Sequence, residues 1–332
     1  MIRRIHRRLG RPEPLDAPSI PGMQVVDWRI VELETSNVTV VLCHRDSALY
    51  VALLHDRSPP DLSQLTELSS VAEIETVLRL DALHLADIYP AFTAQYTLYL
   101  QKPCKKKKKV FVKHAKILDL IAATGMSVIR TLHASEITAH AGEFTAHEAS
   151  ICDLLAFQQH ANIAEFLGVQ VQDKLEFDFE GRKIAVPLGR NSFVGLVFTK
   201  YDCTLREMMD RPQKLNVKLC LQSVSAGIQY LHDLGFVHGD IRPDKIYVKR
   251  GYKDHFVIGD FGSAHETGSV ITFKTGDPLW SRPKIVGVDT AEEYDDWAAF
   301  RKLIAYLVGK TGGKIEDYKE IQQERQSCTC NR

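Results

Sequence analysis

Two carboxylates in this sequence have the residue type and the spacing to do chemistry together. Asp240 lies in the stretch VHGDIRPDKIYV, and Asp260 lies in GDFGSA, twenty positions further along the chain. Transfer of a phosphoryl group from ATP needs a carboxylate that orients the attacking hydroxyl, a carboxylate that holds Mg²⁺, and cations on the phosphates. The two aspartates are compatible with phosphoryl transfer if the fold brings them into one cleft, but on their own they could also be turn residues.

The elements around the two aspartates are ordered so that the side chains can meet. The stretch KLNVKLCLQSVSAGIQYLHDLG predicts a long amphipathic helix that stops at Gly235, because glycine is common just after a helix. Short strands KIYVK and HFVIGD follow, joined through RGYKD. Asp240 precedes this hairpin and Asp260 follows it. Upstream, VGLVFTKY predicts a buried strand, and TAHEASICDLLAFQQH predicts a helix.

The order of these segments resembles the protein kinase fold. HGDIRP and DFG resemble its catalytic loop and Asp-Phe-Gly segment, and TGDPLWSRPK resembles the end of its activation segment, with Pro283 in the place of the Ala-Pro-Glu proline. In YDDWAAFRKLIAYLV, Asp295 would tie the next helix to the catalytic loop. HANIAEFLG and LVFTKYDCTLREMM resemble the link after the small-lobe helix and the hinge. The likeness covers roughly residues 105–308 and is strongest to divergent kinase-like proteins of filamentous fungi.

The resemblance implies a role for each site residue. Asp240 would accept or orient the proton of the substrate hydroxyl, and Arg242 would stand beside the transferring phosphate. Asp260 would bind Mg²⁺. Thr199 and Tyr201, in the hinge-like FTKY, would contact the nucleotide. The implied cofactors are ATP and Mg²⁺, and the implied partner is a protein substrate.

Glu148 would pair with the lysine that holds the α- and β-phosphates, and two residues compete for that place. Lys113 ends the stretch VFVK, which has the form of the third kinase strand. Arg130, in VIR, lies closer to Glu148 along the chain but would be an arginine substitution. We favour Lys113 and expect an insertion before Glu148.

Several departures from the family pattern bear on activity. KPCKKKKK precedes Lys113 where the family has a Gly-x-Gly-x-x-Gly loop, so backbone cannot approach the phosphates as closely. Lys245 replaces the metal-binding Asn, which predicts loss of the second Mg²⁺ site, although its ammonium group could neutralise phosphate charge. Gly239 replaces the Arg that grips a phosphorylated activation loop, so control by such phosphorylation is not expected. Lys284 replaces the Glu of Ala-Pro-Glu.

The predicted architecture is α+β: a two-lobed protein kinase-like fold with an N-terminal α/β extension. The extension covers residues 1–100, the small lobe covers 101–198, and the large lobe covers 199–332 and is truncated after the Asp295 helix. Within residues 24–53, VVDWRIVELE, NVTVVLCH and ALYVALLH predict three strands. Apolar residues at steps of three from Leu62 to Val77 predict an amphipathic helix. YTLYLQKPCKKKKKVFVKHAKI predicts two strands joined by a lysine turn.

Composition is typical of a folded protein inside a cell. Hydrophobic residues make up 45% of the 332 and charged residues 25%, with 42 basic and 42 acidic, so no net field selects nucleic acid. No apolar run approaches the ~18 residues of a membrane span. Seven cysteines without regular spacing favour reduced thiols. We expect a cytoplasmic protein, with the nucleus as the alternative because of the five-lysine run, and no nucleic-acid partner.

Three functions stay open on the sequence. The first is an ATP-dependent kinase that acts on Ser/Thr hydroxyls, and the second is a pseudokinase, a scaffold that binds a partner protein. The third is a small-molecule kinase, because His-Gly-Asp also opens the catalytic loop of aminoglycoside-type phosphotransferases. Arg242-Pro243 and GDPLWSRP favour the protein kinases over the third. The presence of both aspartates, Glu148 and a candidate lysine favours the first over the second.

Overall fold

Residues 23–32, 37–46, 48–55, 77–83, 85–99, 109–114, 134–179, 182–211, 215–318 and 321 are the part of the chain that the computed structural model of the protein describes. They divide into two compact units. The first unit comprises the described residues of Met1–Ala91, Ala115–Gly142 and Gln172–Ser192, and the second comprises those of Phe92–His114, Glu143–Val171 and Phe193–Arg332. Every site residue that the sequence analysis assigned a role, other than Arg130, lies in the second unit, from Lys113 to Asp295.

A four-stranded antiparallel sheet forms most of the first unit. Its strands, in both chain order and sheet order, are β1 Gln24–Glu32, β2 Asn37–Arg45, β3 Ala48–His55 and β4 Val77–Ala82, followed by the short helix α1 Leu85–Ile88. Successive residues of β2 from Val40 to Cys43 are all buried, so both faces of this strand are covered. The three strands predicted over 24–53 are confirmed.

The helix predicted from Leu62 to Val77 is wrong at the end that the structure describes. Val77 begins β4, which pairs with β3 in the register Ala52↔Leu80. Apolar and charged residues alternate from Leu78 to Ala82, which is the period of a strand and not of a helix. The rest of that predicted helix lies outside the described residues.

Three long helices and three small sheets make up most of the described residues of the second unit. The elements that follow α1 are β5 Val110–His114, α2 Ala134–Phe157, β6 Phe166–Phe179, β7 Arg182–Thr199, β8 Cys203–Thr204, α3 Leu205–Met209, α4 Val217–Asp233, β9 Phe236–Val237, β10 Ile246–Lys249, β11 His255–Ile258, β12 His265–Glu266 and α5 Glu293–Thr311. Short 3-10 turns cover Pro243–Lys245, Phe261–Ser263 and Ile315–Tyr318. The start of α2 and the distal parts of β6 and β7 belong to the first unit.

One sheet of the second unit has the order β5-β7-β6 and carries Lys113 on an edge strand. β5 pairs antiparallel with β7, with Lys113 opposite Leu196. The hairpin predicted around the lysine run is wrong in its first strand, because Leu98 makes an isolated parallel bridge with Val169 of β6 and does not pair with β5. The lysine run itself lies outside the described residues.

The helix before the catalytic loop, α4, forms for reasons visible in its sequence. Asn216 caps its N-terminus, because the side-chain oxygen accepts a hydrogen bond from Leu219 N at 3.0 Å. At the other end, Gly235 takes the left-handed conformation (φ +81°) and its N–H donates to His232 O at 2.8 Å. Apolar side chains of α4 and α5 share one core: Leu221, Val224, Ile228, Leu231, Leu303, Ile304 and Leu307. Among the described residues, none of the helices is long and apolar enough to span a bilayer.

Four cysteines lie within the described residues, and all four are free and buried. Cys43 belongs to the first unit, whereas Cys152, Cys203 and Cys220 belong to the second. Burial raises the pKa of the Cys43 thiol to about 12, and it also raises the pKa of Cys220. These thiols are therefore protonated and unreactive at neutral pH.

The division of the chain into 1–100, 101–198 and 199–332 stays a prediction. The two units exchange chain segments within α2, β6 and β7, so no single cut along the sequence separates them. After α5, the described chain continues through Ile315–Tyr318 to Ile321, which is buried.

Candidate active site

The backbone of the loop after α4 is fixed by a buried aspartate of α5. Asp296 Oδ2 accepts hydrogen bonds from His238 N at 2.8 Å and lies 2.9 Å from His232 Nε2, while Oδ1 accepts from Gly239 N at 2.8 Å. Asp296 is 1% exposed. A carboxylate that accepts from two successive backbone N–H groups holds the loop in one conformation.

Asp295, which the sequence analysis assigned to this tie, does something else, and that prediction is wrong. Its side chain points to the activation segment, with Oδ1 2.7 Å from Arg282 Nε and Oδ2 2.5 Å from Lys284 Nζ. Neighbouring residues on a helix point about 100° apart, so only one of the two acids can face the loop. Lys284 therefore finds a carboxylate partner only eleven residues away along the chain.

Asp240 is buried at the bottom of the cleft, and two groups hold its carboxylate. Oδ1 accepts from Asp277 N at 3.0 Å, and Arg242 Nε lies 3.2 Å from Oδ1 and 3.3 Å from Oδ2. The Asp240 N–H donates to His238 Nδ1 at 3.2 Å, and the His238 ring packs edge-on against Phe261. His238 is fully buried, as expected for a packed core histidine. Asp240 is thus oriented from both sides.

Arg242 is surrounded by carboxylates. Besides Asp240, its Nη1 lies 2.9 Å from Asp244 Oδ2 and 3.7 Å from Asp277 Oδ2. The sequence analysis placed Arg242 beside the transferring phosphate but missed both of these acids. A guanidinium held by three carboxylates supplies less net positive charge to a phosphate than a free one would.

Lys113 and Glu148 form the pair that the sequence analysis favoured. Lys113 Nζ lies 2.7 Å from each carboxylate oxygen of Glu148 and 2.5 Å from Asp260 Oδ1. Glu148 is only 1% exposed. Burial disfavours the Lys113 ammonium, but the two carboxylates outweigh that effect and raise the pKa of Lys113 above its usual range. The rival, Arg130, lies outside the described residues.

Asp260 stands where three chain segments meet, and ammonium groups bind both of its oxygens. Lys113 contacts Oδ1, and Lys245 forms an ion pair with Oδ2. Burial favours the neutral acid, yet these two cations outweigh it and hold the pKa of Asp260 well below its usual range. Lys245 Nζ also lies 4.0 Å from Asp240 Oδ2. The structure thus brings the two aspartates into one cleft, with a lysine between them.

A cavity of about 190 Å³ opens beside this cluster. Its accessible surface is mainly apolar, and Lys113 and Asp260 are among the charged residues that line it. The predicted nucleotide contacts Thr199 and Tyr201 both line it, and Glu165 orders them. Thr199 Oγ1 donates to Glu165 Oε2 at 2.5 Å, and Glu165 N donates to the Tyr201 hydroxyl oxygen at 3.1 Å. An apolar cavity that ends in a few convergent charges is typical of a site for a small ligand.

Residues 122–329 match the family described as the protein kinase domain, which is more than half of the chain. This chain belongs to the protein kinase domain family. The matched range contains the loop at Asp240, the segment at Asp260 and Glu148, and it begins after Lys113. The α+β kinase-like fold predicted from the sequence is confirmed.

Comparison with curated proteins finds protein kinases. The chain is 31% identical over 96 residues to serine/threonine-protein kinase GD17699 of Drosophila simulans, a match that covers 28% of this chain and 13% of that protein. It is 33% identical over 112 residues to serine/threonine-protein kinase H1 of Homo sapiens, covering 32% of this chain and 26% of that protein. The chain thus spans well under a third of the length of each of these relatives.

Among solved structures, the chain is similar to a chain of the yeast RNA Pol II CTD kinase CTDK-1 complex. The TM-score is 0.40 and the sequence identity is 18%, over 66% of this chain and 64% of that chain. The likeness to fungal kinase-like proteins stays a prediction.

Mg²⁺, which protein kinase domains in general use together with ATP, does not fit the arrangement around Asp260. Mg²⁺ takes oxygen ligands, commonly one or two carboxylates together with phosphates and water. Here each oxygen of Asp260 is bound by an ammonium group, and Lys245, at the place of the second metal ligand, has no lone pair to offer. Across the described ranges, no group of three His, Cys, Asp or Glu side chains could hold a metal. The arrangement thus gives no support to Asp260 as a metal ligand, and that assignment stays a prediction.

The structure shows why position 239 has a glycine in place of the family's arginine. Its φ is +74°, and a Cβ at this position would lie 2.7 Å from Ser263 O. The arginine that the family pattern has here would therefore clash with the backbone of the Asp-Phe-Gly turn as well as strain its own.

Lys274 is a residue of this cleft that the sequence analysis missed. It lies on the activation segment, is partly buried, and makes no hydrogen bond or ion pair with any residue that the structure describes. Burial lowers the pKa of Lys274, and the nearby charges of Asp260 and Asp240 partly oppose that effect. A single lysine in FKTGDP carries no pattern that would have identified it.

Proposed function

We propose that this protein is an ATP-dependent phosphotransferase of the protein kinase type, which transfers the γ-phosphoryl group of ATP to a serine or threonine hydroxyl. The observation that carries the proposal is the arrangement of Lys113 between Glu148 and Asp260, with Asp240 in the same cleft. These are the charges that phosphoryl transfer needs, at the end of an apolar cavity.

The cavity would bind the adenine ring of ATP, and the charged residues would bind its phosphates. The adenine ring would occupy the aromatic walls next to Tyr201 and Tyr247, and the phosphates would reach Lys113. Because Glu148 and Asp260 fix Lys113 from two sides, its ammonium group is already in position before the nucleotide binds. Little reorganisation is then required when negative charge develops.

Asp240 would act on the substrate hydroxyl. The hydroxyl oxygen forms a bond to the γ-phosphorus, the bond from that phosphorus to the β–γ bridging oxygen breaks, and ADP leaves with the electron pair. The hydroxyl proton passes to the carboxylate of Asp240. The Asp277 N–H and Arg242 hold that carboxylate in a fixed orientation. Arg242 is therefore a positioning residue more than a phosphate ligand.

A nucleotide-binding scaffold without transferase activity is the second candidate. It is favoured by the occupation of Asp260, since both carboxylate oxygens are bound by lysines and are not free for a catalytic metal. Such a protein would bind ATP and a partner protein but would not phosphorylate it. Localisation in the cytoplasm, with the nucleus as the alternative, and a protein substrate are part of the same proposal.

The test is transfer of label from [γ-³²P]ATP to a mixture of Ser- and Thr-containing peptides, with and without Mg²⁺. We expect Asp240→Asn to lower the rate by about 10²-fold or more, because general-base contributions are of that size, and to leave ATP affinity unchanged. Asp233→Asn, an exposed change at the end of α4, is the control. Transfer by Asp240→Asn at the wild-type rate would overturn the proposal. Binding of ATP without any transfer by the wild type would favour the scaffold.

A further inference from the structure

Two ammonium groups bind Asp260 directly, and a third lies close enough to interact with its charge. Lys113 and Lys245 bind its two oxygens directly, and Lys274 approaches from the activation segment. The carboxylates that face Lys113 and Lys245 are Glu148, Asp260 and Asp240, and Asp240 also contacts Arg242. No carboxylate among the described residues forms a hydrogen bond with Lys274.

Lys245 is held in this position by the backbone. It ends the turn Pro243–Lys245, its N–H donates to Arg242 O at 2.9 Å, and its carbonyl oxygen accepts from Gly259 N at 3.0 Å. Its side chain is 13% exposed, and its ammonium group reaches both Asp260 and Asp240. A point charge between two carboxylates neutralises them, which a bound divalent cation would otherwise do.

Lys274 adds a third ammonium group to this region. A partly buried ammonium group without a hydrogen-bonded carboxylate is costly to keep charged, and an incoming anion would relieve that cost. The triphosphate of ATP is such an anion, and the lysine lies close enough to Asp260 and Lys245 for their charges to shift its pKa. Lys274 also lines a small cavity together with Gly239 and Ser263, so it lies beside the catalytic loop, where it could meet a phosphate.

We propose that this cleft binds the phosphates of a nucleotide without a divalent cation, and that Lys245 and Lys274 supply the positive charge in its place. The inference rests on the proposed function, because it takes ATP as the ligand of the cleft. The inference goes further because it assigns the neutralisation of the phosphate charge to lysines of this chain. ATP is then expected to bind equally well with and without Mg²⁺, because the cation is not needed to neutralise its phosphates.

The decisive experiment is calorimetric titration of the full chain with ATP, once in excess EDTA and once in millimolar Mg²⁺. We expect the two dissociation constants to agree within about threefold. An affinity at least tenfold weaker in EDTA would overturn the inference and leave the proposed function standing. No binding of ATP in either buffer would overturn both.

Two variants test the individual lysines. Lys245→Asn should weaken ATP binding in EDTA by about tenfold, and Mg²⁺ should restore it, because the amide oxygen and Asp260 would then provide a metal site. Lys274→Met should weaken ATP binding by about fivefold in both buffers. Lys218→Asn, an exposed change on the first turn of α4, should have no effect.

Titration with adenosine is the matched control for folding, since adenosine has no phosphates and would report the cavity alone. All variants should bind adenosine with the wild-type affinity. If Lys245→Asn binds both adenosine and ATP like the wild type in EDTA, Lys245 does not carry the phosphate charge, and the proposal is wrong.

Discussion

Asp296 is a buried carboxylate and Asp260 a partly buried one of the same cleft region, and they are satisfied in opposite ways. Asp296 accepts from the backbone N–H groups of the catalytic loop and contacts a histidine. Asp260 is held by the ends of two lysine side chains. Its side chain is 17% exposed, whereas that of Asp296 is fully buried.

The two carboxylates differ in whether their partners can leave: the partners of Asp296 are fixed, whereas those of Asp260 can exchange. Backbone donors cannot leave Asp296 unless the loop unfolds, so this residue is suited to fixing the loop. Lysine side chains are flexible, and each can exchange a carboxylate for a phosphate without a change in the fold. The same residue type therefore serves stability at one position and ligand binding at the other.

Asp296→Asn should break the structural side of this comparison and have the largest effect. An amide presents one acceptor oxygen and an NH₂ group, so at least one buried backbone N–H loses its partner. Loss of a buried charged acceptor of this kind costs about 3 kcal/mol. Urea denaturation should show the free energy of unfolding lowered by that amount. Asp233→Asn, at an exposed position, should leave it unchanged, and an equal loss in both variants would contradict the assignment.

Gly239→Ala should disturb the same anchor from the loop side, with a smaller effect. The left-handed backbone and the close approach to Ser263 O together predict a loss of about 2 kcal/mol. Gly309→Ala is the matched control, because a Cβ there meets nothing within 4 Å and the site is inside α5. Alanine should stabilise that helix slightly. A Gly239→Ala variant as stable as the wild type would contradict the prediction. It would show that the loop can change its conformation despite its hydrogen bonds to Asp296.

Asp260→Asn should have the smallest effect on stability, about 1 kcal/mol at pH 7, because the two lysines can turn to solvent or to other carboxylates. The pKa of Asp260 is depressed in the folded state. Its charge therefore stabilises the fold above the unfolded value of about 3.9, and this contribution is lost progressively as the pH falls below that value toward the lower pKa of the folded state.

Urea denaturation gives the difference in the free energy of unfolding between wild type and Asp260→Asn. This difference should begin to shrink as the pH falls from about 5 to about 3, a range that brackets the unfolded pKa. Glu176→Gln removes one member of an exposed pair with Lys174 and should change nothing at any pH. A gap that widens on acidification would mean that Asp260 is protonated in the fold at neutral pH, which would contradict its ion pairs.

The sequence was sufficient for what local patterns and motif order determine. The helix ending before Gly235, the hairpin between Asp240 and Asp260, and the strand at Lys113 all formed as predicted, because glycine conformation and β-branched runs act locally. The pairing of Lys113 with Glu148 followed from the order of motifs, and the structure brings the two side chains together.

What the sequence could not supply depends on how elements rotate and pair in three dimensions. Asp295 and Asp296 are adjacent and identical, and only the rotation of α5 against the loop decides which acid faces it. Val77 continued a step of three that fits a helix, yet pairing with β3 made it part of a strand. Lys274 belongs to no local pattern, and its role depends on how its segment folds over Asp260.

Each unit of the chain has a buried cysteine that can report when that unit opens. A thiol reagent reacts only when its target is exposed and ionised, so alkylation of Cys43 measures how often the β1–β4 sheet opens, and alkylation of Cys220 measures the opening of the α4 core. Because the two thiols belong to different units, mass spectrometry of the labelled peptides can follow each opening rate separately in the native protein.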